Sequence, residues 1–373
     1  MDFSLTEEQR ALSALAAQII GDRCAPERLK AIEASGAGYD GELWAELAKA
    51  GLLGAALPEA AGGSGGGFVE SCLLLEQQGR RVVMLPLLPA LVSAAMPLAR
   101  FGSSEQQRRY LPGVVAGSTL LTAALSEVTA DSRSPATVAT AEGDHWRLTG
   151  VKVAVPLAQQ AAAVLVPART AGGEIAVFIV DPQAAGVTLA RQETMNWEAH
   201  SRLELSAVKV GRESVLGSIG QGAAILDWIV DRTTAGLCAI ASGACQEALL
   251  LTAQYASNRK QFDKPIAMFQ AVGQRMADAY IDNEAVNLTM WQAATRLADE
   301  MPSAKEIATA KYWAAEGGSR IGHAGLHVHG GISIDVDYPM HRYFLWLKQI
   351  EYTLGAATPQ LAQLGALIAA APL

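Results

Sequence analysis

Val151-Lys-Val-Ala-Val155, Ala163-Val-Leu-Val-Pro167, Ile175-Ala-Val-Phe-Ile-Val180 and Ser201-Arg-Leu-Glu-Leu-Ser206 are four short runs rich in β-branched and apolar residues. Branched side chains fit a pleated, half-buried surface, so these runs read as strands. Gly143–Asp144, Gly172–Gly173, Pro182 and Gly186 punctuate them as turns. The stretch from 118 to 225 is therefore expected to be a compact antiparallel β domain.

Outward from it the texture is helical on both sides. Upstream, Thr6-Glu-Glu-Gln9 offers a capping start, followed by Leu12, Leu15, Ile19 and Ile20 at helical spacing. Glu42 to Lys49 ends before Gly51, a glycine stop. Downstream, helical periodicity resumes at Ile225, with long amphipathic stretches from Phe269 to about Glu300 and from Ala304 to Ile321. The fold class is thus mainly α with a middle β domain (α+β): an N-terminal helical domain over 1–117, the β domain over 118–225 and a C-terminal helical domain over 226–373.

Composition narrows the function classes. Half of the 373 residues are hydrophobic, ample for a large core, which excludes intrinsic disorder. A net charge of −8 gives no electrostatic reason to expect nucleic acid or anionic lipid as a partner. Cys24, Cys72, Cys238 and Cys245 form no Cys-x-x-Cys pair and read as reduced core residues of a cytoplasmic protein. Met1 to Arg10 has no apolar stretch and does not read as a signal peptide. Val82 to Ala99 is uncharged and nearly long enough to span a membrane, yet Pro86, Pro89 and Pro97 interrupt it. Two short buried helices are expected there, and no membrane partner.

Several motifs invite chemistry and fail on inspection. Gly62-Gly-Ser-Gly-Gly-Gly67 has no following lysine and no G-x-G-x-x-G register, so it reads as a flexible loop. His323, His327 and His329 cluster, but the residue after His323 is not Glu and no cysteine is near, so no metal site is expected. The glycines around them predict a helix ending in a tight turn instead.

Two segments say more. Ser257-Asn-Arg-Lys-Gln-Phe-Asp-Lys-Pro-Ile-Ala-Met-Phe-Gln270 places an arginine, an aromatic and a glutamine on a loop between helices. His327-Val-His-Gly-Gly331 places a Gly-Gly turn at a helix end, followed by Asp337-Tyr-Pro-Met-His-Arg342. Arginine forks onto phosphate oxygens and glycines admit a ligand close to the backbone, as a pyrophosphate cofactor requires. Either segment alone reads rather as a surface salt bridge or a helix stop.

Jointly, Arg259-x-x-Phe-x-Lys-Pro-Ile-x-x-Phe-Gln270, Gly330–Gly331, Tyr338–Pro339, the Leu216-Gly-Ser-Ile-Gly-Gln-Gly222 loop and the domain order resemble the acyl-CoA dehydrogenase family over essentially the whole chain. The resemblance implies an N-terminal helical domain, a β-barrel-like middle domain and a C-terminal four-helix bundle. It implies FAD as cofactor and α,β-dehydrogenation of an acyl-CoA, with electrons leaving to an acceptor such as an electron-transfer flavoprotein. It also implies that Arg259, Phe262, Gln270, His327, Gly330 and Gly331 are cofactor-binding residues that reach across a subunit interface.

The departures from the family pattern fall on the chain's own site. The family's base, a Glu before Gly in the loop after Tyr-Pro, corresponds here to Leu354 before Gly355, and leucine accepts no proton. The other position used in the family, on the first C-terminal helix, corresponds to Thr233, and the arginine after it to Thr234. The flavin-contacting loop reads Ser126-Glu-Val-Thr-Ala-Asp-Ser-Arg133, and the family's Trp-Ile-Thr run reads Ala154-Val-Pro156. No catalytic residue is assigned. The pattern, including Glu351-Tyr-Thr-Leu-Gly-Ala-Ala357, is similar to the partner subunits of heteromeric, α2β2 acyl-CoA dehydrogenases acting on steroid side chains. Two alternatives stay open: a self-sufficient homotetramer with Asp231 or Glu351 as base, and a redox-inactive assembly scaffold of the same fold.

Overall fold

The computed structural model describes residues 3–370. The chain runs through α1 (Glu7–Arg23), α2 (Pro26–Ser35), α3 (Gly41–Lys49), α4 (Phe68–Arg81), α5 (Met96–Phe101) and α6 (Ser104–Val115). Strands β1 (Leu121–Ala123), β2 (Val138–Glu142), β3 (His145–Pro156), β4 (Ala163–Thr170), β5 (Ile175–Val180), β6 (Val187–Gln192) and β7 (His200–Gly211) follow. Then come α7 (Gly222–Asn258), the two-residue strands β8 (Lys260–Gln261) and β9 (Lys264–Pro265), and α8 (Gln270–Ala298). The chain closes with α9 (Ala304–His329), α10 (Met340–Tyr352) and α11 (Ala357–Ala369). Internal contacts divide it into two units, one of residues 32–71 and 84–233, the other of residues 1–31, 72–83 and 234–373.

In the first unit the strands form one curled sheet in the order β1-β4-β2-β3-β7-β6, with β5 on β4. The expectation of a purely antiparallel domain is corrected. β1 runs parallel to the start of β4, Leu121 opposite Ala163, and β2 parallel to its end, Val138 opposite Arg169. Parallel pairing needs a long crossover. Turn residues announce only the hairpins, so the return of the chain after β3 was invisible to them. The buried layer is aliphatic with one aromatic pair, Trp146 edge-on to Phe178 at 5.7 Å.

Two expectations upstream are refined in the same unit. Val82–Ala99 does hold two short buried helices, but they are laid end to end: wide π turns over Leu87–Ala95 run straight into α5. Pro89 and Pro97 both fall in a first turn, where the missing N–H is not needed. The glycine run 62–67 is a tight packed turn rather than a flexible loop. Gly65 N–H donates to Leu57 O at 2.9 Å and Gly66 N–H to Ala55 O at 3.0 Å. A Cβ on Gly63 would stand 2.2 Å from the Leu57 carbonyl, so close backbone packing demands glycine there.

In the second unit α1 starts with the predicted capping box, Thr6 and Gln9 exchanging side-chain and backbone bonds. The four-helix bundle is α7 to α10, with α11 packed on α9. Two helices meet backbone to backbone through paired glycines. A Cβ on Gly79 of α4 would lie 2.0 Å from Ile240 O, and one on Gly243 of α7 would lie 2.0 Å from Glu76 O. The stretch Ile219–Asn258 is long and apolar enough to cross a membrane by composition, but 72% of its apolar window is buried inside the protein, as in a core helix.

Candidate functional site

The bundle unit gathers the predicted cofactor residues at two neighbouring segment ends. α7 stops at Asn258, and Arg259 N–H still donates to Tyr255 O at 2.8 Å. A hairpin follows, in register Lys260–Pro265 and Gln261–Lys264, and Ile266 N–H closes it on Arg259 O at 2.8 Å. Its two-residue turn is Phe262–Asp263, both at positive φ, +53° and +63°. Such turns favour Asn-Gly; a bulky aromatic in the left-handed region is strained. Phe262 is nonetheless 86% exposed, touching only the edge of Phe269, ring centroids 6.2 Å apart. Arg259 and Gln270 are exposed, and the Arg259 guanidinium makes no hydrogen bond or ion pair among the described residues.

α9 extends past the expected Ile321 to His329 and ends at Gly330, φ +66° and ψ −142°, a conformation essentially restricted to glycine. Gly331 is not in the left-handed region, and nothing lies within 4 Å of a Cβ built on it. The chain's own packing therefore does not explain that glycine, and the backbone there is open to close approach. His327 is exposed and His329 is buried. His323 Nδ1 lies 2.7 Å from Ser319 O, an ordinary helical contact. An exposed guanidinium, an exposed aromatic and an open Gly-Gly backbone fit a pyrophosphate-bearing cofactor such as FAD.

The β unit presents the opposite. Glu127 starts the loop that the family uses at the flavin, and here its carboxylate is consumed internally. It accepts from Ala136 N at 2.7 Å, Thr137 N at 3.1 Å, Thr137 Oγ1 at 2.7 Å and Lys152 Nζ at 2.7 Å. The Glu127 and Lys152 side chains are 6% and 1% exposed. Burial pushes the Glu127 carboxyl up, but the Lys152 ammonium and these hydrogen bonds outweigh it and hold it below the usual range. At the loop's far end Arg133 spans two carboxylates of α7, Asp227 at 2.8 Å and Asp231 at 2.5 Å. One turn along, the Arg232 guanidinium lies 3.9 Å over the Trp228 ring. At the family's Trp-Ile-Thr position, Ala154 sits at φ +48° and gives its N–H to Gln192 Oε1 at 2.8 Å. At this position the backbone donor is already taken and alanine presents no ring, so neither contact is offered to an isoalloxazine there.

The candidate bases are likewise engaged. Asp231 is bound by Arg133, and Glu351 Oε2 accepts from Lys348 Nζ at 2.6 Å. Thr233 Oγ1 donates to Ser93 Oγ at 3.0 Å, both side chains buried. Leu354 turns at φ +54° into Gly355 at +97°. Just before it, the fully buried Lys311 ammonium donates to the carbonyls of Ile350 and Glu351, at 2.7 and 3.1 Å, and burial pulls its pKa down to about 8. Among the described residues no group of three His, Cys, Asp or Glu side chains is placed to hold a metal.

Comparison with known proteins follows this geometry. Residues 6–118 match the acyl-CoA dehydrogenase N-terminal domain and residues 220–368 the acyl-CoA dehydrogenase C-terminal domain. The chain belongs to the acyl-CoA dehydrogenase family. These are FAD-dependent oxidoreductases, and the helical and β architecture described above is the family's fold. The chain is 39% identical to acyl-CoA dehydrogenase FadE27 of Mycobacterium tuberculosis over 100% of both chains. Among solved structures it is similar to the ChsE4-ChsE5 complex from Mycobacterium tuberculosis, 40% identical over 100% of both chains, TM-score 0.95. It is also similar to the Tcur3481-Tcur3483 steroid ACAD, 45% identical over 97% of this chain and 98% of that one, TM-score 0.91.

Sequence reading missed the residues that fill the β face. Arg133 meets carboxylates 94 and 98 positions away. It also missed Tyr255, although that tyrosine stands one helical turn before Arg259.

Proposed function

We propose that this chain is the non-catalytic half of a heteromeric acyl-CoA dehydrogenase, cytoplasmic and α2β2, whose partner subunit holds the acyl-CoA and the base. One observation carries the reading. The loop facing the family's flavin position is spanned by the chain's own Arg133–Asp227/Asp231 bridge and its Ala154 N–H is taken by Gln192, while Arg259 and Gly330–Gly331 stand open.

Bound FAD supplies the two-electron acceptor for α,β-dehydrogenation of the thioester. This chain's residues bind and orient. Arg259 would hold pyrophosphate oxygens with its forked guanidinium, and the Gly330–Gly331 backbone would let them approach. Phe262 would offer its exposed ring, and the exposed Gln270 and His327 would supply polar groups. A partner with a bulky substrate, such as the CoA thioester of a steroid side chain, is supported by likeness to the steroid ACAD, and electrons would leave to an external acceptor such as an electron-transfer flavoprotein.

Purified alone, the chain is expected to carry almost no flavin; co-expressed with its partner it is expected to yield a yellow complex with one FAD for each pair of unlike chains. Flavin absorbance per polypeptide decides it. Stoichiometric FAD with turnover of an acyl-CoA by this chain alone overturns the proposal.

A further inference from the structure

His329 is the last residue of α9, and both nitrogens and one face of its ring are engaged. Nδ1 lies 2.8 Å from Gly325 O and Nε2 lies 2.9 Å from the Tyr338 hydroxyl. The carbonyl can only accept, so Nδ1 carries the proton and Nε2 accepts from Tyr338. One face of the ring stacks on Tyr255 at 4.4 Å and 28°, and only 4% of the residue is exposed. Burial holds the imidazole below its ordinary pKa, which keeps this tautomer neutral near pH 7.

Tyr255 is the second half of the arrangement. Its hydroxyl donates to the His329 carbonyl at 3.4 Å, and its own carbonyl accepts the Arg259 N–H at 2.8 Å. One residue thus touches both ends: the start of the Arg259 hairpin through its backbone, and the residue before Gly330 through its side chain. Tyr338 returns from the far side of the Gly330–Ile334 turn to close the stack, 6.4 Å from Tyr255.

We infer that the Tyr255–His329–Tyr338 stack is a positioning joint that holds the backbone at Arg259 and the Gly330–Gly331 backbone at a fixed spacing, so that the Arg259 side chain and the glycine turn can meet one pyrophosphate. The inference rests on the site proposed above. The three side chains are assigned no contact with the cofactor; each is proposed to act through Arg259 or the glycine turn. A fixed spacing matters because a ligand held at two points pays for any freedom between them.

The test uses the co-purified complex of this chain with its partner, measuring the FAD dissociation constant by flavin fluorescence. Tyr338→Phe removes the single hydroxyl that His329 Nε2 accepts from and is expected to weaken FAD about three- to tenfold. Tyr255→Leu removes the stack and is expected to cost about tenfold or more. A double-mutant cycle separates positioning from mere loosening of the fold. Arg259→Ala should cost about ten- to a hundred-fold in the native background, but no more than about threefold beside Tyr255→Leu. Should Tyr255→Leu fail to assemble, the same cycle is run beside Tyr338→Phe. Equal cost of Arg259→Ala in both backgrounds, or affinities within about twofold of the parent in the tyrosine variants, overturns the joint while leaving the site intact. If Arg259→Ala and Gly331→Ala both retain FAD in the native background, the site assignment itself is wrong, and the joint falls with it.

Discussion

The loop of residues 126–137 in the β unit and the α7–α9 ends of the bundle unit satisfy their polar groups in opposite ways. Glu127, Arg133 and the Ala154 N–H all find partners inside the chain. Arg259 finds none among the described residues, Phe262 is held strained in the open, and Gly331 is a glycine that local packing does not need. A buried polar group left unsatisfied is costly, so the buried Glu127–Lys152 pair in the first region would destabilise it if either partner were lost. The second region costs nothing by being exposed, but its glycine and its strained aromatic have no purpose within the chain. One surface satisfies its polar groups by itself, and the other is the one proposed to take a ligand. Variants in the first should change stability, and variants in the second should change cofactor retention.

The largest effect is expected at Lys152. Lys152→Met leaves the buried Glu127 carboxylate without its cation, a loss of about 3–5 kcal/mol in stability. Adding Glu127→Gln should restore most of it, since the uncompensated charge is then gone. Glu127 also sets an acid limit. Its folded pKa lies below the model-peptide value, so the stability it contributes is present above that value and is lost as pH falls through the depressed folded one. Thermal melts of the complex below about pH 4.5 should therefore fall more steeply for the parent than for Glu127→Gln. A Lys152→Met variant that melts with the parent would mean that this loop is not held by its internal ion pair, and the contrast between the regions would weaken.

Next comes Arg259. A partly desolvated charge-assisted bond is worth roughly 1.5–3 kcal/mol. Arg259→Ala should therefore release FAD from the complex by about ten- to a hundred-fold with an unchanged circular dichroism spectrum. Arg259→Lys should recover only part, since an ammonium cannot make the forked contact. Retention of FAD by the Ala variant would make Arg259 an ordinary surface residue and erase the open half of the comparison.

What was legible in the sequence follows how local each signal is. The α–β–α order showed because strand runs such as Ile175–Val180 and the capping box at Thr6 are written in neighbouring residues. That leucine, Leu354, stands before Gly355 in the loop after Tyr338–Pro339 is likewise written in neighbouring residues and needs only a count. The parallel placement of β1 and β2 beside β4 did not show, because it depends on a crossover rather than a turn. Neither did the Arg133 bridge or the Tyr255–His329 stack, whose members lie 94, 98 and 74 positions apart. The Gly62–Gly67 run misled because the same glycines serve mobility and close packing alike, and only the Leu57 carbonyl distinguishes them.

The smallest effect, and the one that separates the two regions by sign, is expected at Phe262. Its φ of +53° at the first central position of a two-residue hairpin suits asparagine, whose short polar side chain tolerates the left-handed region. Phe262→Asn should therefore raise hairpin stability by up to about 1 kcal/mol, since the strain of a bulky residue at positive φ is relieved. Its loss of packing is small, because the ring is 86% exposed and meets only the edge of Phe269. If the ring is kept there for the cofactor, the same variant should hold FAD about threefold less tightly, an aromatic contact of about 0.5–1 kcal/mol. Stability and cofactor affinity then move in opposite directions, which is the trade expected of strain retained at a binding site. The measurement pairs a thermal melt with FAD titration on the same complex. A rise in melting temperature with FAD affinity unchanged would reduce Phe262 to a poor turn residue and remove it from the site, leaving Arg259 and the glycine turn to hold the pyrophosphate without it.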